Sequence, residues 1–164
     1  MHSIGPADNY LDKGYIGKVD PAREDVQSTW YLPHFSLIRP DRTTTKTRIV
    51  FDASAYCQST SLNQIIQQDP TLQRELTDVL LRFRRNPVAV LCDIAEMYLH
   101  VEIAPKDRSY FRFLWRDMQT NRVPDIYECS RVTFGVNCSP FLTQLVTQEH
   151  AKKFADEFPA AADN

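Results

Sequence analysis

The stretch that decides the fold is Val88-Ala-Val-Leu-Cys-Asp-Ile-Ala-Glu-Met-Tyr-Leu-His-Val101, in which five apolar residues precede the acid Asp93. The apolar run is short, rich in valine and entered through Pro87, which is typical of a strand covered on both faces. An ionised carboxylate at the end of such a strand is costly unless a cation meets it. Mg²⁺ meets this need at phosphate-handling sites, because one or two carboxylates and substrate oxygens hold it. The simpler alternative is an acid that caps the turn after the strand.

The composition is that of an ordinary globular domain, with 43% hydrophobic and 24% charged residues in 164. The net charge of -2 gives no overall attraction for nucleic acid, so phosphate contacts would have to come from local basic clusters. No apolar run approaches the length of a membrane span, and the N-terminus does not resemble a signal sequence. We therefore expect an intracellular, cytoplasmic protein with no membrane partner.

The cysteines and histidines do not follow a metal-binding spacing. Cys57, Cys92, Cys129 and Cys138 match no common zinc pattern, and the four histidines are scattered along the chain. We expect free thiols.

A polar segment and a basic hairpin are predicted in the first third of the chain. Residues 1–29 form a lead-in that holds three of the four glycines, with a capped short helix or loop over residues 19–25. Residues 30–40 and 46–52 are predicted strands, and the polar residues 41–45 connect them. The hairpin carries four cations, which either bind phosphates or form a solvated face: Arg39, Arg42, Lys46 and Arg48.

Two longer helices are predicted around a second hairpin. The first spans residues 71–85, with leucines, valine and phenylalanine at helical spacing, and is expected to pack on the sheet and end before Pro87. Arg82, Arg84 and Arg85 lie in its last turn, where they either interact favourably with the helix dipole or bind phosphate. Residues 110–115 and 126–134 are predicted strands. The second helix begins with Ser139 as N-cap and Pro140 at the first helical position, and carries an apolar stripe that needs a sheet to cover. Residues 62–66 and 102–108 are candidates for short helices.

Gly135 is the only glycine after Gly17. A chain that uses glycine so sparingly needs it there for its backbone conformation or for a close approach to the main chain. A ligand or nucleic-acid strand could make that approach, and a simple turn is the alternative.

Six motifs in order along residues 30–158 resemble the reverse transcriptase of BEL/Pao-type long-terminal-repeat retrotransposons. They are Trp30-Tyr-Leu-Pro-His, Ile38-Arg-Pro, Thr45-Lys-Thr-Arg-Ile-Val-Phe-Asp-Ala-Ser, Ser61-Leu-Asn, Asp93-Ile-x-x-Met-Tyr and Thr133-Phe-Gly-Val-Asn-Cys-Ser-Pro-Phe. The resemblance implies an α+β fold, the right-hand polymerase, with fingers mainly in residues 30–86 and a partial palm in residues 87–164. The palm would hold a ferredoxin-like sheet with helices on one face.

The resemblance also implies nucleotidyl transfer to a DNA primer from a deoxynucleoside triphosphate, on an RNA or DNA template, with two Mg²⁺ ions or Mn²⁺ in their place. Asp93 matches the first catalytic aspartate, and the carbonyl of Ile94 would add a metal ligand. Tyr98 matches the aromatic residue that excludes a 2′ hydroxyl, with core packing as the alternative. Arg48 matches the fingers arginine of the triphosphate site, because its planar fork suits phosphate oxygens.

Further positions follow from the same resemblance. Lys46 or Arg42 could reach the outer phosphates. Phe134 and Gly135 match the segment beneath the nascent base pair, and Ser139 and Pro140 begin the helix behind it, beside template and primer. Retroviral enzymes commonly carry glutamine at the position of Phe134, so this residue offers stacking or packing instead of a polar contact.

One family motif is missing from this sequence. Polymerases of this kind need a second pair of aspartates in a Tyr-x-Asp-Asp hairpin, and no Asp-Asp pair occurs here. We expect a fragment truncated before that hairpin, inactive without the remaining Pol regions: the rest of the palm, the thumb and ribonuclease H. Exposed apolar surface and poor solubility should follow. A noncatalytic nucleic-acid-binding remnant and a decayed copy without a biochemical role are the alternatives.

Overall fold

The computed structural model describes residues 6–20, 22, 29–38, 47–67, 69–85, 87–117 and 119–159. The α-helices in these ranges are α1 (Pro6–Asp12), α2 (Leu62–Ile65), α3 (Leu76–Phe83) and α4 (Ser139–Lys153). The strands are β1 (Ile16–Lys18), β2 (His34–Ile38), β3 (Thr47–Phe51), β4 (Arg112–Trp115) and β5 (Asp125–Cys129). Two 3₁₀ helices span Met97–His100 and Pro105–Phe111.

The strands form two small antiparallel sheets. One has the order β1-β5-β4, and the other pairs β2 with β3. The mixed α/β class that the sequence predicts is thereby confirmed, as are both hairpins, β2–β3 and β4–β5. Both are local in sequence, and alternate side chains are buried on β3, at Ile49 and Phe51, and on β5, at Tyr127 and Cys129. The polar connection predicted at residues 41–45 lies outside the described residues.

Aromatic rings join the two sheets. Phe113 of β4 is fully buried, with ring centroids 5.2 Å from Phe51 of β3 and 5.6 Å from Tyr127 of β5. His34 of β2 makes an edge contact with Phe113 at 5.1 Å. Burying one such phenylalanine contributes about 2 kcal/mol. In the main chain, the amide of Leu32 donates to the carbonyl of Arg112 at 2.8 Å.

The lead-in segment is part of this core, which the sequence did not indicate. Ala7 and Tyr10 of α1 are buried, and β1 forms the edge of the three-stranded sheet, with Ile16 opposite Cys129. An edge strand of three residues is too short to show a reliable alternation. Its place therefore depends on a partner more than a hundred residues away.

The prediction of a buried strand at residues 88–93 is wrong. The segment forms no strand, and Val88, Val90 and Leu91 are 74%, 84% and 89% exposed. A strand needs a neighbour to accept its main-chain hydrogen bonds, and none of the described strands lies beside this segment. The apolar run is present without the sheet that would bury it.

The helix predicted over residues 71–85 is shorter and more exposed than expected. It spans α3 only, ends before Pro87 as predicted, and buries none of its residues, so its packing on the sheet was wrongly predicted. Residues 71–75 are irregular. The apolar spacing was a sound indication of a helix, but it cannot say which surface covers the apolar face.

The second long helix is α4, and its N-cap was predicted one residue too late. Cys138 is the N-cap, and Ser139 is the first helical residue. The hydroxyl of Ser139 donates to the carbonyl of Thr133 at 2.7 Å instead of capping the helix. Of the helix residues only Ser139 and Thr143 are buried, while Val146 of the predicted apolar stripe is 47% exposed. No described helix is both long enough and apolar enough to cross a membrane.

Candidate functional site

A cavity of about 280 Å³ lies where four separate segments of the chain meet. β3 provides Arg48, the loop leading into Met97–His100 provides Asp93 and Ile94, that 3₁₀ helix provides Tyr98, and the loop before α4 provides Phe134. All five are residues that the sequence selected as candidates. Tyr10, Glu96, Met97 and Leu99 also line the cavity, and the sequence did not select them.

Two aromatic rings and a guanidinium in contact form one wall of the cavity. The ring of Phe134 lies 4.8 Å from the ring of Tyr98 at an interplanar angle of 30°. The guanidinium of Arg48 lies 5.7 Å from the centroid of Phe134. A cation over an aromatic face is held by the ring quadrupole. Phe134 thus lies between a cation from β3 and the tyrosine of the 3₁₀ helix and contacts both.

The loop that carries Asp93 and Tyr98 is fixed by Glu96. This residue has a left-handed backbone, φ +53°, and its carboxylate accepts hydrogen bonds from Lys13 Nζ at 2.7 Å and Tyr15 Oη at 2.9 Å. Burial pushes the pKa of Glu96 up, but the bonds from Lys13 and Tyr15 outweigh it and the pKa lies below its ordinary value. The N-terminal segment therefore ties down one edge of the cavity.

The loop that carries Phe134 is fixed by Gly135 and by an asparagine pair. Gly135 has φ +94°, and a Cβ atom there would lie 1.8 Å from the carbonyl oxygen of Phe51. The amide of Asn137 donates to Asn63 Oδ1, and its side chain donates to the carbonyl of Asn63, both at 2.9 Å. Gly135 thus has both a backbone conformation that favours glycine and a close approach to the main chain. The group that approaches it is the Phe51 carbonyl of β3.

The remaining candidates lie outside the cavity lining. Gly135 is exposed beside Phe134, Ser139 is buried, and Pro140 is exposed at the start of α4. Arg42 and Lys46 lie outside the described residues. All four cysteines are free, as the sequence predicts.

In comparisons with known proteins, no protein-family model and no curated protein sequence matches this chain.

The carboxylates of the cavity differ in their availability to a cation. Glu96 is paired with Lys13, whereas Asp93 is exposed and lies beside the exposed Ile94. One carboxylate with a neighbouring carbonyl suits Mg²⁺, which takes most of its other ligands from water and substrate phosphates. Among the described residues, no group of three or more histidines, cysteines or acids could hold a metal ion by itself.

Among the residues missed by the sequence analysis, Glu96 carried a signal. It stands three residues after Asp93, and an acid so close to a candidate metal ligand needs a partner of its own. Tyr10 carried no such signal, because its place in the cavity depends on the packing of α1 against the sheet.

Proposed function

We propose that this chain is the fingers and partial palm of an RNA-directed DNA polymerase of the BEL/Pao type, and that its cavity receives a deoxynucleoside triphosphate. The observation that supports this is the meeting of Arg48, Asp93, Tyr98 and Phe134 around one cavity from three separate segments. The family motifs independently assign these residues to one site. In the same proposal the two sheets are the incomplete fingers and the incomplete, ferredoxin-like palm.

Each side chain has a distinct part in binding. Asp93 and the carbonyl of Ile94 would hold Mg²⁺, which neutralises the triphosphate and stabilises the charge that develops during transfer. Arg48 offers its guanidinium to phosphate oxygens, and its contact with Phe134 limits the freedom lost on binding. Tyr98, supported by the ring of Phe134, blocks the position of a 2′ hydroxyl. Ser139 acts indirectly, because its bond to Thr133 holds the loop that carries Phe134.

The chain alone is proposed to bind nucleotide without extending a primer. Transfer needs further carboxylates, which the Tyr-x-Asp-Asp hairpin of the family supplies and this sequence does not contain. Primer extension on an RNA template should therefore be absent for this chain and present when the downstream region of the Pol protein is joined to it. In the joined protein, Asp93→Asn should abolish extension. Activity that survives this substitution would refute the role of Asp93.

Nucleotide binding can be measured on the chain as it is. We expect Mg²⁺-dTTP to bind in calorimetry, and to bind at least tenfold more weakly to Arg48→Ala and to Asp93→Asn. Matched controls are Arg116→Ala and Asp156→Asn, which change exposed residues outside the cavity lining. Equal affinities of all four variants would show that the cavity is not the nucleotide site.

A second candidate function is noncatalytic binding of nucleic acid by a remnant of such a polymerase. The exposed arginines at the end of α3, Arg82, Arg84 and Arg85, are the observation that favours it. Phosphate contacts release counterions, so the affinity for RNA would fall steeply with salt, and replacing all three arginines would flatten the slope. Under the polymerase proposal the same replacement leaves Mg²⁺-dTTP binding unchanged.

A further inference from the structure

A second cavity, of about 450 Å³, opens between α2, the 3₁₀ helix Pro105–Phe111 and α4. Its lining is almost wholly apolar and includes Ile65, which is 58% exposed, and the half-buried Leu142. The charged members of the lining are the carboxylates of Glu102 and Asp107. We call this cavity the α2/α4 groove.

Helix α3 presents an apolar face that the rest of the described chain does not cover. Its stripe has the spacing i, i+3, i+4 and i+7, and its members are 46–70% exposed: Leu76, Val79, Leu80 and Phe83. This spacing places all four side chains on one side of the helix. A contiguous apolar face of this kind marks an interaction site.

The charges of the helix and the groove are opposite. Residues 74–85, α3 with its flanks, hold four arginines and two acids. Arg84 and Arg85 follow the helix directly and are exposed. The lining of the α2/α4 groove carries two acids. Glu102 pairs with Arg131 at 3.1 Å, and Asp107 lies on the half-exposed rim. An apolar helix with basic residues at one end therefore matches an apolar groove with the acid Asp107 at its edge.

We propose that α3 of one copy of this chain docks in the α2/α4 groove of a second copy. The exchange is reciprocal, so that one two-fold dimer contains two helix-in-groove contacts. Reciprocity matters because a single eight-residue helix buries little, while specific interfaces bury about 1,200–2,000 Å² in total. The inference does not rest on the proposed polymerase function.

Sedimentation velocity over a concentration series tests the dimer. We expect the unmodified chain to pass from monomer to dimer with rising concentration, and Leu80→Asp to remain monomeric. Leu81→Asp is the matched control: it makes the same change on the same helix, at a side chain 66% exposed but about 100° around the axis from Leu80. Ile65→Asp in the groove should act as Leu80→Asp does. A chain that stays monomeric, or a dimer that tolerates Leu80→Asp, would overturn the proposal.

Cross-linking with a short bismaleimide identifies the contact even where an Asp variant fails to fold. Both copies carry Cys57→Ser and Cys92→Ser, which remove the exposed thiols. One copy also carries Leu80→Cys and Cys138→Ser, and the other retains Leu80 and Cys138, which lines the groove. A cross-link between the two copies, absent when Leu81→Cys replaces Leu80→Cys, supports the proposal.

Occupation of the groove by something other than α3 of a second copy would give different cross-links. If a single chain with Leu80→Cys and Cys138 cross-links only within itself, its own α3 fills the groove and the second copy does not. If the dimer forms but no cross-link joins the two copies, another surface makes the contact. Either result would overturn the proposal.

Discussion

At the scale of single residues, Gly135 gives the sharpest test of the fold around the cavity. Gly135→Ala should lower the free energy of unfolding by about 3 kcal/mol or more, because the new Cβ combines a φ of +94° with a position 1.8 Å from the Phe51 carbonyl oxygen. Gly14 has φ +68° and open space around it, so Gly14→Ala should cost only about 1 kcal/mol. Urea denaturation measures both. Equal losses in the two variants would show that the loop before α4 does not press on β3.

Glu96 allows a second prediction at this scale, and its sign follows from the lowered pKa. Glu96→Gln should lose about 1 kcal/mol of stability at pH 7, because the Lys13 ion pair is lost. A folded-state pKa below the ordinary 4.5 gives stability that is present above pH 4.5 and lost as the pH falls below it. The difference between wild type and variant should therefore shrink in acid.

The control for Glu96 is Glu149→Gln on α4, which removes an exposed pair with Lys152. That change should cost under about 0.5 kcal/mol. Two variants with the same loss and the same pH dependence would mean that Glu96 does not anchor its loop.

The residue scale also shows what the sequence can and cannot reveal about the site. The need for glycine at 135 was predicted from its rarity, since glycine has few reasons to persist in a glycine-poor chain. The contact between Phe134 and Tyr98 joins residues 36 positions apart, and the sequence did not indicate it. The bond from Lys13 to Glu96 joins positions 83 apart, and no local pattern encodes such a pairing.

At the scale of elements, His34 on β2 couples the contact between the two sheets to pH. Its ring lies among Phe51, Phe113 and Trp115, and burial lowers the pKa of His34 below the ordinary 6.5. The unfolded chain binds the proton more readily, so stability should fall as the pH drops below about 6.5. In His34→Phe this fall should be shallower between pH 7 and pH 5, as thermal melting across the range would show.

His150→Phe makes the same change at an exposed position of α4 and serves as the control. We expect it to keep the pH slope of the wild type. If the two variants have the same slope, the site of the pH dependence lies elsewhere than between the sheets.

The elements predicted best are those whose contacts are with segments nearby in the sequence. The hairpins β2–β3 and β4–β5 need only alternation and a turn, and both appear where expected. The segment 88–93 has the composition of a strand, but a strand forms only where a neighbouring strand pairs with its main-chain N–H and C=O groups. The packing predicted for α3 was wrong for the same reason. The helical spacing of its apolar residues was correct, but that spacing does not identify the surface that covers them.

At the scale of the whole molecule, α3 and the segment 88–93 that follows it together hold eight exposed large apolar side chains. The two are consecutive in sequence, so one partner could cover both. The proposed dimer would cover part of this surface.

Thiol chemistry measures this exposure directly. At low micromolar concentration of the chain, Cys57 and Cys92 should react rapidly with an aromatic disulfide reagent, because both are exposed. Cys138 should react more slowly and Cys129 only on unfolding, since burial raises the pKa of both thiols and the thiolate is the reactive form. Cys92→Ser should remove one of the two rapid equivalents, and Cys57→Ser should remove the other. If Cys92→Ser leaves the rapid phase unchanged, residues 88–93 are covered in solution, and the apolar surface inferred for the whole molecule does not exist.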